Sequence, residues 1–337
     1  MSSLATTQGA EQKAKPLPGQ PRRNQPRRNQ PRRNQPRRNP APTKSESSPR
    51  RTRDNLNGWG FAAPFLAFFL VFLVWPLLYG LYMSLTGKSL TGANDSLIGL
   101  ANYAEALADA DMWHSLGNTL YFTVISTVPL VLVALVMAAL VNAGLPAQWL
   151  WRLSYFAPYL LASTVVSLFF SWMYNPQLGL INDSLAKIGL PKVAWLNDPN
   201  VAMWAIVIAT LWWTVGFNFL LYLAAMQNIP AQHYEAASLD GAGAWRQFFS
   251  ITLPQLTPTT VMIVLLQILA SLKIFDQVYQ MTAGGPAGST RPVVQYIFET
   301  GFTGYRLGYS AAISYIFFGL IVAVSAMQFF ITRRRSA

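Results

Sequence analysis

The chain has 337 residues, of which 52% are hydrophobic and only 11% are charged, and its mean hydropathy is +0.28. Soluble domains carry about a quarter charged residues, so this composition excludes an ordinary soluble protein and favours a membrane protein. Residues 1–57 hold 14 of the 25 Lys and Arg against 3 of the 13 Asp and Glu, which is +11 of the net +12. The basic charge therefore belongs to the tail, and the rest of the chain predicts no nucleic-acid partner.

The chain has no cysteine and only two histidines, His114 and His233, which are far apart in the sequence. Without thiols there is no disulfide framework, no thiolate metal site and no cysteine nucleophile. Two distant histidines do not form the cluster that a metal or catalytic site needs. We therefore expect no catalytic residue, no metal and no cofactor, which predicts that the chain is not an enzyme.

The first segment, residues 1–57, contains a repeat. Pro-Arg-Arg-Asn-Gln occurs three times over 21–35, and a fourth copy ends as Pro-Arg-Arg-Asn-Pro at 36–40. A proline in every fifth position and the lack of an apolar face predict a disordered basic tail. Two roles fit this composition: a cytoplasmic tail that helps to set the topology, or an electrostatic clamp on anionic lipid or RNA.

Six apolar segments follow the tail, and a helix needs about 20 such residues to cross a ~30 Å hydrocarbon core. In lipid, the backbone polar groups must be satisfied within each segment, which favours helices. The sequence therefore predicts an all-α polytopic membrane domain over 58–337 with six transmembrane helices, at roughly 60–84, 116–142, 153–174, 201–224, 259–279 and 308–331.

The basic residues next to these segments predict the orientation. They lie at 50–53 before the first span, at Arg152 in the second connection and at 333–335 after the last span. The first connection, by contrast, carries more acidic than basic residues. By the positive-inside rule, both termini of this multi-pass protein are predicted to lie on the cytoplasmic side of the cell membrane.

The long connection at 227–256 faces the cytoplasm in this topology. Pro230 suits the first turn of a helix and Gly241 suits a C-terminal cap, so we expect a short helix, a sharp turn and a second short helix. The second helix carries apolar area at Trp245, Phe248 and Phe249. The residues alone leave two interpretations open: a docking element for another protein, or an amphipathic helix on the inner leaflet.

A resemblance favours the docking element. Within this connection, the EAA loop pattern is matched in full by Glu235-Ala236-Ala237, Gly241, Ile251 and Leu253-Pro254. This pattern is typical of permease subunits of binding-protein-dependent ABC importers. Other segments resemble the carbohydrate-uptake branch of that family, with maltose and glycerol-3-phosphate permeases: Leu100-Ala101-Asn102-Tyr103, Asn118-Thr119, Met173-Tyr174-Asn175-Pro176, Phe275-Asp276 with Tyr279, and Thr282-Ala283-Gly284-Gly285-Pro286.

The resemblance implies a type I ABC importer permease fold and several partners. These are a second permease subunit in a heterodimer, cytoplasmic ATP-binding subunits, an extracytoplasmic solute-binding protein, a sugar substrate and the lipid bilayer. It also implies that the loop couples the permease to the ATPase. Glu235 would pair with a basic group there, Ala236 and Ala237 would permit close approach, Gly241 would make the turn, and Ile251 and Pro254 would complete the pattern.

The fourth span carries two adjacent strips on one helix face. Trp213 and Phe217 are four residues apart, and so are Thr214 and Asn218. An aromatic strip beside an amide and hydroxyl strip suits a sugar, whose C–H face stacks while its hydroxyls form hydrogen bonds. The alternative is helix–helix packing, in which Thr and Asn form interhelical hydrogen bonds.

In the fifth span, Gln267 and Ser271 form a polar strip that we expect to be the cavity wall. On a continuous helix, Lys273 and Asp276 lie on a different face, so both pairs are not expected to line one narrow path. Their spacing of three predicts an ion pair between them that is structural or acts as a gate. Because a paired lysine would not bind an anion, this prediction argues against an anionic substrate.

These observations predict a permease subunit that forms half of the translocation pathway of an ATP-driven carbohydrate importer. Two alternatives remain. The same family includes permeases for non-sugar solutes such as a polyol or a glycerol phosphodiester. A secondary transporter is the other, although the spans show no internal repeat and Asp276 is the only clear membrane carboxylate.

Overall fold

The computed structural model describes residues 61–92 and 95–335, with side chains as far as residue 330. Within this part of the chain, the secondary structure is helical and there is no strand; Thr86 and Leu97 form one isolated antiparallel bridge. The predicted all-α class is confirmed. The basic tail at 1–57 lies outside the described residues, so its boundary at residue 57 stays a prediction.

The helices are numbered here in chain order. Three contain or adjoin π-helical turns, at Leu70–Val74 within α1, at Phe248–Thr252 within α9 and at Glu299–Thr303 directly after α12. The helices are α1 Phe61–Ser84, α2 Ala101–Ala108, α3 Ala110–Asn142, α4 Gln148–Leu160, α5 Ser163–Met173, α6 Leu180–Lys187, α7 Ala202–Gln227, α8 Ala231–Leu239, α9 Ala244–Gln255, α10 Thr257–Leu272, α11 Asp276–Met281, α12 Val293–Phe298 and α13 Leu307–Arg335.

Four of the described helices, α1, α3, α7 and α13, are long and apolar enough to cross a membrane. The number rises to six when the bent pairs α4–α5 and α9–α10 each count as one span. The predicted number of spans therefore holds only if two of them are broken helices. The axes of α4 and α5 differ by 97°, and those of α9 and α10 by 63°.

The predicted third span, 153–174, is wrong as one continuous helix. The helix gives way to a 3₁₀ turn at Ala157–Leu160, which contains Pro158. After this turn, Leu161 and Ala162 adopt extended backbone angles. Proline has no N–H to continue the helical ladder and its ring clashes with the preceding turn, so it favours a break at this point.

The predicted fifth span, 259–279, is also wrong in its second half, because α10 ends at Leu272 and α11 begins at Asp276. No proline or glycine marks this break. Ile274, between the two helices, is buried in a cluster with Val278 and Met281. The turn places Ile274 in this core, so tertiary packing overrides the local helical pattern.

The bundle is centred on α3 and α7, which pack along much of their length. Alanines that are fully buried recur four residues apart on both helices, at 134 and 138 and at 205 and 209. Small residues let helix backbones approach closely, which matters in a membrane because lipid tails are as apolar as the side chains. Larger buried side chains fill the space on either side, among them Phe122, Leu130, Phe219 and Tyr222.

Several residues of the carbohydrate-uptake resemblance form hydrogen bonds between segments that are distant in the sequence. The amide nitrogen of Asn118 donates to the carbonyl oxygens of Gly288 (2.8 Å) and Arg291 (3.2 Å). The Thr119 hydroxyl accepts from the backbone N–H of Val293 at 2.9 Å. These bonds join the segment between α11 and α12 and the first residue of α12 to the first half of α3, and they satisfy backbone groups that have no partner within a helix.

A carboxylate joins three helices near the start of α3. Asp109 caps α3 by accepting from the backbone N–H of Asp111 (2.9 Å) and Met112 (3.3 Å). It also accepts from the hydroxyls of Tyr296 and Tyr309, each at 2.5 Å. Burial disfavours the charged carboxylate, but the hydrogen bonds outweigh this effect and lower the pKa of Asp109. The ionised Asp109 therefore holds α3, α12 and α13 together.

The closest approach between helices gives a stability prediction. A Cβ at Gly216 of α7 would lie 2.1 Å from the Tyr155 carbonyl oxygen and 2.9 Å from Phe156 Cα, both on α4. Backbone atoms cannot yield as a side chain does, so Gly216→Ala should cost about 1–3 kcal/mol of unfolding free energy. The measurement is the midpoint of thermal unfolding in detergent.

Gly319→Ala is the matched control, because a Cβ at that helical glycine meets no other atom within 4 Å. Its midpoint should stay the same or rise, since alanine is the better helix former. Equal midpoints for Gly216→Ala and the unsubstituted protein would contradict the close approach of α4 and α7.

Candidate functional site

A cavity of about 420 Å³ lies between α7, α10 and the broken end of α4. All six residues that the sequence analysis assigned to substrate contact line it, although they come from two helices almost 50 residues apart. The structure therefore brings the two predicted strips together on one surface: Trp213, Thr214, Phe217, Asn218, Gln267 and Ser271.

The polar side of the cavity is a chain of hydrogen bonds across three helices. The Asn218 amide donates to Gln267 Oε1 at 3.0 Å, and Gln267 Nε2 donates to the Ser271 hydroxyl at 3.2 Å. The Ser271 hydroxyl lies 3.0 Å from that of Ser126 on α3. Asn218, Gln267 and Ser271 are each buried, so these bonds offset the cost of removing polar groups from water. A solute hydroxyl could exchange for one of these contacts.

The aromatic side of the cavity depends on the break between α4 and α5. Phe217 stacks on Tyr159 with ring centroids 5.2 Å apart and an interplanar angle of 21°. The Trp213 indole N–H donates to the carbonyl oxygen of Leu161, at 3.1 Å. That carbonyl lies in the break itself, so the indole satisfies a group that no helix uses. The sequence analysis missed Tyr159; its position next to Pro158, a helix breaker, was the available signal.

Two further cavity residues were not predicted. Thr210, one turn before Thr214, has its hydroxyl oxygen 2.8 Å from Gln277 Oε1 and 2.8 Å from the carbonyl oxygen of Ile206. Both Thr210 and Gln277 are buried, and the other amide atom of Gln277, Nε2, has no hydrogen-bond partner. Gln277 lies on α11, so no pattern within α10 could have placed it here.

The predictions for Lys273 and Asp276 need correction. Both residues line the same cavity as Gln267 and Ser271, contrary to the expectation that the two pairs would lie on separate paths. They also form no ion pair within 4.0 Å in the described structure; Asp276 instead accepts from the Ser163 hydroxyl at 3.3 Å. The reason is the end of α10 at Leu272, after which Asp276 starts a new helix and the three-residue spacing loses its meaning.

The connection at 227–256 has the predicted helix, turn and helix. Helix α8 ends at Leu239, and Gly241, two residues later, has φ +75°. The N–H of Ala242 donates to the Ala237 carbonyl (2.9 Å) and the N–H of Gly241 to that of Ser238 (3.1 Å). This pair of bonds is a Schellman motif, in which glycine is favoured because it adopts positive φ without strain. A Cβ at Gly241 would meet no other atom, so φ and not space selects glycine here.

The surface of this loop is open. Glu235 and Ala236 are exposed, and α8 buries none of its residues. Two hydrogen bonds join α8 to α9: the hydroxyls of Tyr234 and Thr252 lie 2.8 Å apart, and Gln247 Nε2 donates to the Ser238 hydroxyl at 2.9 Å. Large apolar side chains surround the glutamate and are also exposed, including Leu239, Trp245 (78%) and Phe249. A carboxylate among exposed apolar groups suits a protein interface or a membrane surface, so this geometry leaves both interpretations open.

The loop is connected to the cavity by α9 and α10, two consecutive helices with a bend between them. Ile251 and Pro254 lie on α9, in and directly after a π-helical turn at Phe248–Thr252. The wider π-helical turn tolerates the backbone hydrogen bond that is lost because Pro254 has no N–H. Beyond the buried Leu256, α9 continues as α10 at an angle of 63°, and α10 carries Gln267 and Ser271. A displacement of the loop would therefore move one wall of the cavity.

Among the described residues, no group of three or more His, Cys, Asp or Glu side chains is arranged to hold a metal ion. The cavity offers amide, hydroxyl, ammonium and carboxylate groups together with aromatic faces.

Comparison with known proteins agrees with this architecture. Residues 118–337, which include the cavity and the 227–256 loop, match the family described as "Binding-protein-dependent transport system inner membrane component". The chain therefore belongs to this family of transport permeases and is a multi-pass membrane protein. The resemblance stated from the sequence is confirmed.

Characterised relatives extend the match over most of the chain. The sulfoquinovosyl glycerol transport system permease SmoG of Agrobacterium fabrum is 35% identical, over 85% of this chain and 95% of that protein. The lactose transport system permease LacF of Rhizobium radiobacter is also 35% identical, over 87% and 99%. The sn-glycerol-3-phosphate transport system permease UgpA of Agrobacterium fabrum is 32% identical, over 81% and 93%.

A solved structure shares the fold. The crystal structure of a bacterial ABC transporter involved in the import of the acidic polysaccharide alginate superposes with a TM-score of 0.75 and 23% identity. The superposition covers 85% of this chain and 99% of that chain. At this identity the likeness establishes the fold, which is that of an ABC importer permease.

Proposed function

We propose that this chain is the membrane-spanning permease subunit of an ATP-driven importer of neutral carbohydrates, and that the cavity is part of the solute's path. The observation that carries the proposal is the convergence of both predicted strips, aromatic and polar, on one cavity of about 420 Å³. A sugar ring stacks through its C–H face and forms hydrogen bonds through its edge, so it needs both kinds of wall at once.

The contacts follow from the geometry of the walls. The stacked pair Phe217 and Tyr159 offers a flat apolar face, and Asn218 and Gln267 offer amide groups beside it. The relatives that match this chain carry lactose, sulfoquinovosyl glycerol and sn-glycerol-3-phosphate in their names. Hydroxyl-rich solutes are common to the three, which supports a solute of that class here.

The charge of the cavity supports a neutral solute. The sequence predicted an ion pair between Lys273 and Asp276, which would disfavour an anionic solute, but the described structure does not form this pair. Lys273 and Asp276 nevertheless both line the cavity, so they contribute one positive and one negative charge to it. An anionic solute would be attracted by one and repelled by the other, whereas a neutral sugar can accept from the ammonium and donate to the carboxylate.

In this proposal the loop at 227–256 couples transport to ATP hydrolysis. Glu235 pairs with a basic group of a cytoplasmic ATP-binding subunit, and Gly241 holds the turn that presents it. Closure of the ATPase pair moves α8 and α9, and the bend at Leu256 passes this movement to α10 and its cavity residues. A second permease subunit completes the path, and an extracytoplasmic binding protein delivers the sugar.

Substrate contact is tested with Asn218→Ala and Gln267→Ala in the purified transporter with its partner subunits. The measurement is sugar-stimulated ATP hydrolysis over a panel of neutral mono- and disaccharides that includes lactose. An unpaired hydroxyl in a dry cavity costs about 1–3 kcal/mol, so the half-saturating sugar concentration should rise about 5- to 150-fold.

Asn200→Ala is the control for this experiment, because Asn200 is exposed and its recorded bonds are to Asp198. It should behave like the unsubstituted transporter. If no sugar in the panel stimulates hydrolysis, or if both cavity variants respond normally, the polar strips serve helix packing and the proposal is wrong.

Coupling is tested by two pairs of variants. Gly241→Val should impair uptake more than Gly241→Ala, because positive φ strains a β-branched residue most. Glu235→Lys should be worse than Glu235→Gln, since it adds repulsion to the lost ion pair. All four should reach the membrane, and the two severe variants should lose the ATPase subunit in a detergent pull-down or retain it without uptake. Normal uptake by both severe variants would favour a membrane-surface helix.

Orientation is tested with single cysteines, which the native chain lacks. Ser238→Cys on α8 should react with a membrane-impermeant maleimide only after the membrane is opened. Thr303→Cys, in the connection at 280–306, should react in intact cells. Both expectations follow from the positive-inside rule. Labelling of Ser238→Cys from outside would reverse the topology and remove the loop from the ATPase side.

A further inference from the structure

A second group of aromatic side chains extends from the cavity towards the connection between α11 and α13. Phe275 stacks on Tyr279 with centroids 5.3 Å apart and planes at 26°. Phe298 contacts Phe275 at 5.5 Å and Tyr279 at 5.8 Å, and it contacts Phe302 at 5.3 Å. These four residues, Phe275, Tyr279, Phe298 and Phe302, are called the aromatic run below.

The aromatic run begins at the cavity, because Phe275 is one of the cavity-lining residues. Further along, Tyr279 is 44% exposed and Phe302 is 57% exposed. The remaining sides of α11 are used for packing: Gln280 bonds to Thr164 of α5, at 2.9 Å, and Val278 is buried in the core. Phe298 contacts both exposed rings, Tyr279 on α11 and Phe302 after α12, and the described segments leave each of these two rings partly uncovered.

The neighbours of the run indicate that this side of α11 does not face lipid. Asp276 lies one turn before Tyr279 on α11, and it is exposed, as is Lys273 before it. A charged group that faces lipid is costly, and such groups in a membrane protein normally face a partner or an aqueous path. The aromatic rings are fixed by their mutual contacts, so little conformational entropy is lost when a ligand stacks on them.

We propose that the aromatic run is a second carbohydrate-binding surface, through which a sugar passes between the outer connection and the cavity. The proposal rests on the carbohydrate path proposed above and adds a binding site to it. Exposed rings accept the C–H face of a sugar, and the Tyr279 hydroxyl, which has no recorded hydrogen bond in the described structure, is available to a sugar hydroxyl. Stacking is tolerant of ring identity, which suits a surface that conducts a sugar and does not select one.

The test uses the complete transporter, reconstituted with its partner permease, ATPase subunits and binding protein. Tyr279→Ala and Phe302→Ala, singly and together, are compared with Tyr279→Trp and Phe302→Tyr, which keep a ring. The probe is the neutral sugar that gives the largest stimulation in the panel above. Loss of a stacking face should raise the half-saturating concentration for uptake about 2- to 12-fold per ring, with a smaller change in the maximal rate.

Phe68→Ala on α1 is the matched control, since Phe68 is 66% exposed and lies far from the run in sequence and on another helix. It should leave uptake unchanged, and the ring-keeping variants should stay within about twofold.

Three results would overturn the inference. If the double alanine variant transports normally while Gln267→Ala is impaired, the run is no sugar site although the cavity is. If neither responds, the carbohydrate path itself fails. If the double variant loses the partner permease in a pull-down, or if the ring-keeping variants are as impaired as the alanine variants, the run is a subunit contact.

Discussion

The structure depends on one constraint: a backbone N–H or C=O that leaves a helix inside a membrane must find another partner there. Two interruptions of the helices border the cavity: one lies between α4 and α5, inside a candidate span, and the other follows α10, where the bent span α9–α10 ends. At the first, the Leu161 carbonyl accepts from the Trp213 indole; at the second, the N–H groups of Lys273 and Ile274 close tight turns onto the end of α10. Irregular backbone is tolerated at membrane depth where it borders a cavity. The helix breaks therefore lie where polar groups can contact a solute.

The residues that carry the family resemblance fall into two physical groups. Those in the 227–256 loop are exposed or half-buried, as residues of a protein interface or a membrane surface are. Those outside it, such as Asn102, Asn118 and Tyr174, are buried or half-buried and donate to backbone carbonyls of other segments. The second group therefore joins segments of the bundle that are distant in the sequence, whereas Phe275 and Asp276, which also belong to the resemblance, line the cavity.

The mechanical design follows from where the helices bend. An α-helix transmits force along its axis because its hydrogen bonds act in series, and α9 and α10 form one such rod with a bend at the buried Leu256. One end of the rod carries the exposed EAA surface and the other carries Gln267 and Ser271. Helices α3 and α7, by contrast, pack against each other along much of their length.

Sequence by itself determined the features that depend on local pattern: the apolar spans, the short helix that ends before Gly241, and the two strips of α7 that line the cavity. Helical periodicity and the φ preference of glycine act over a few residues, so they can be read without a fold. The tertiary structure alone decided the break at Leu272, which sends Lys273 and Asp276 into the cavity and separates them. Burial of Ile274 against α5 and α7 causes that break. Long-range packing of this kind leaves no signal in the residues next to it, which is why Gln277 was found only in the folded chain, whereas Tyr159 had a local signal in the neighbouring Pro158.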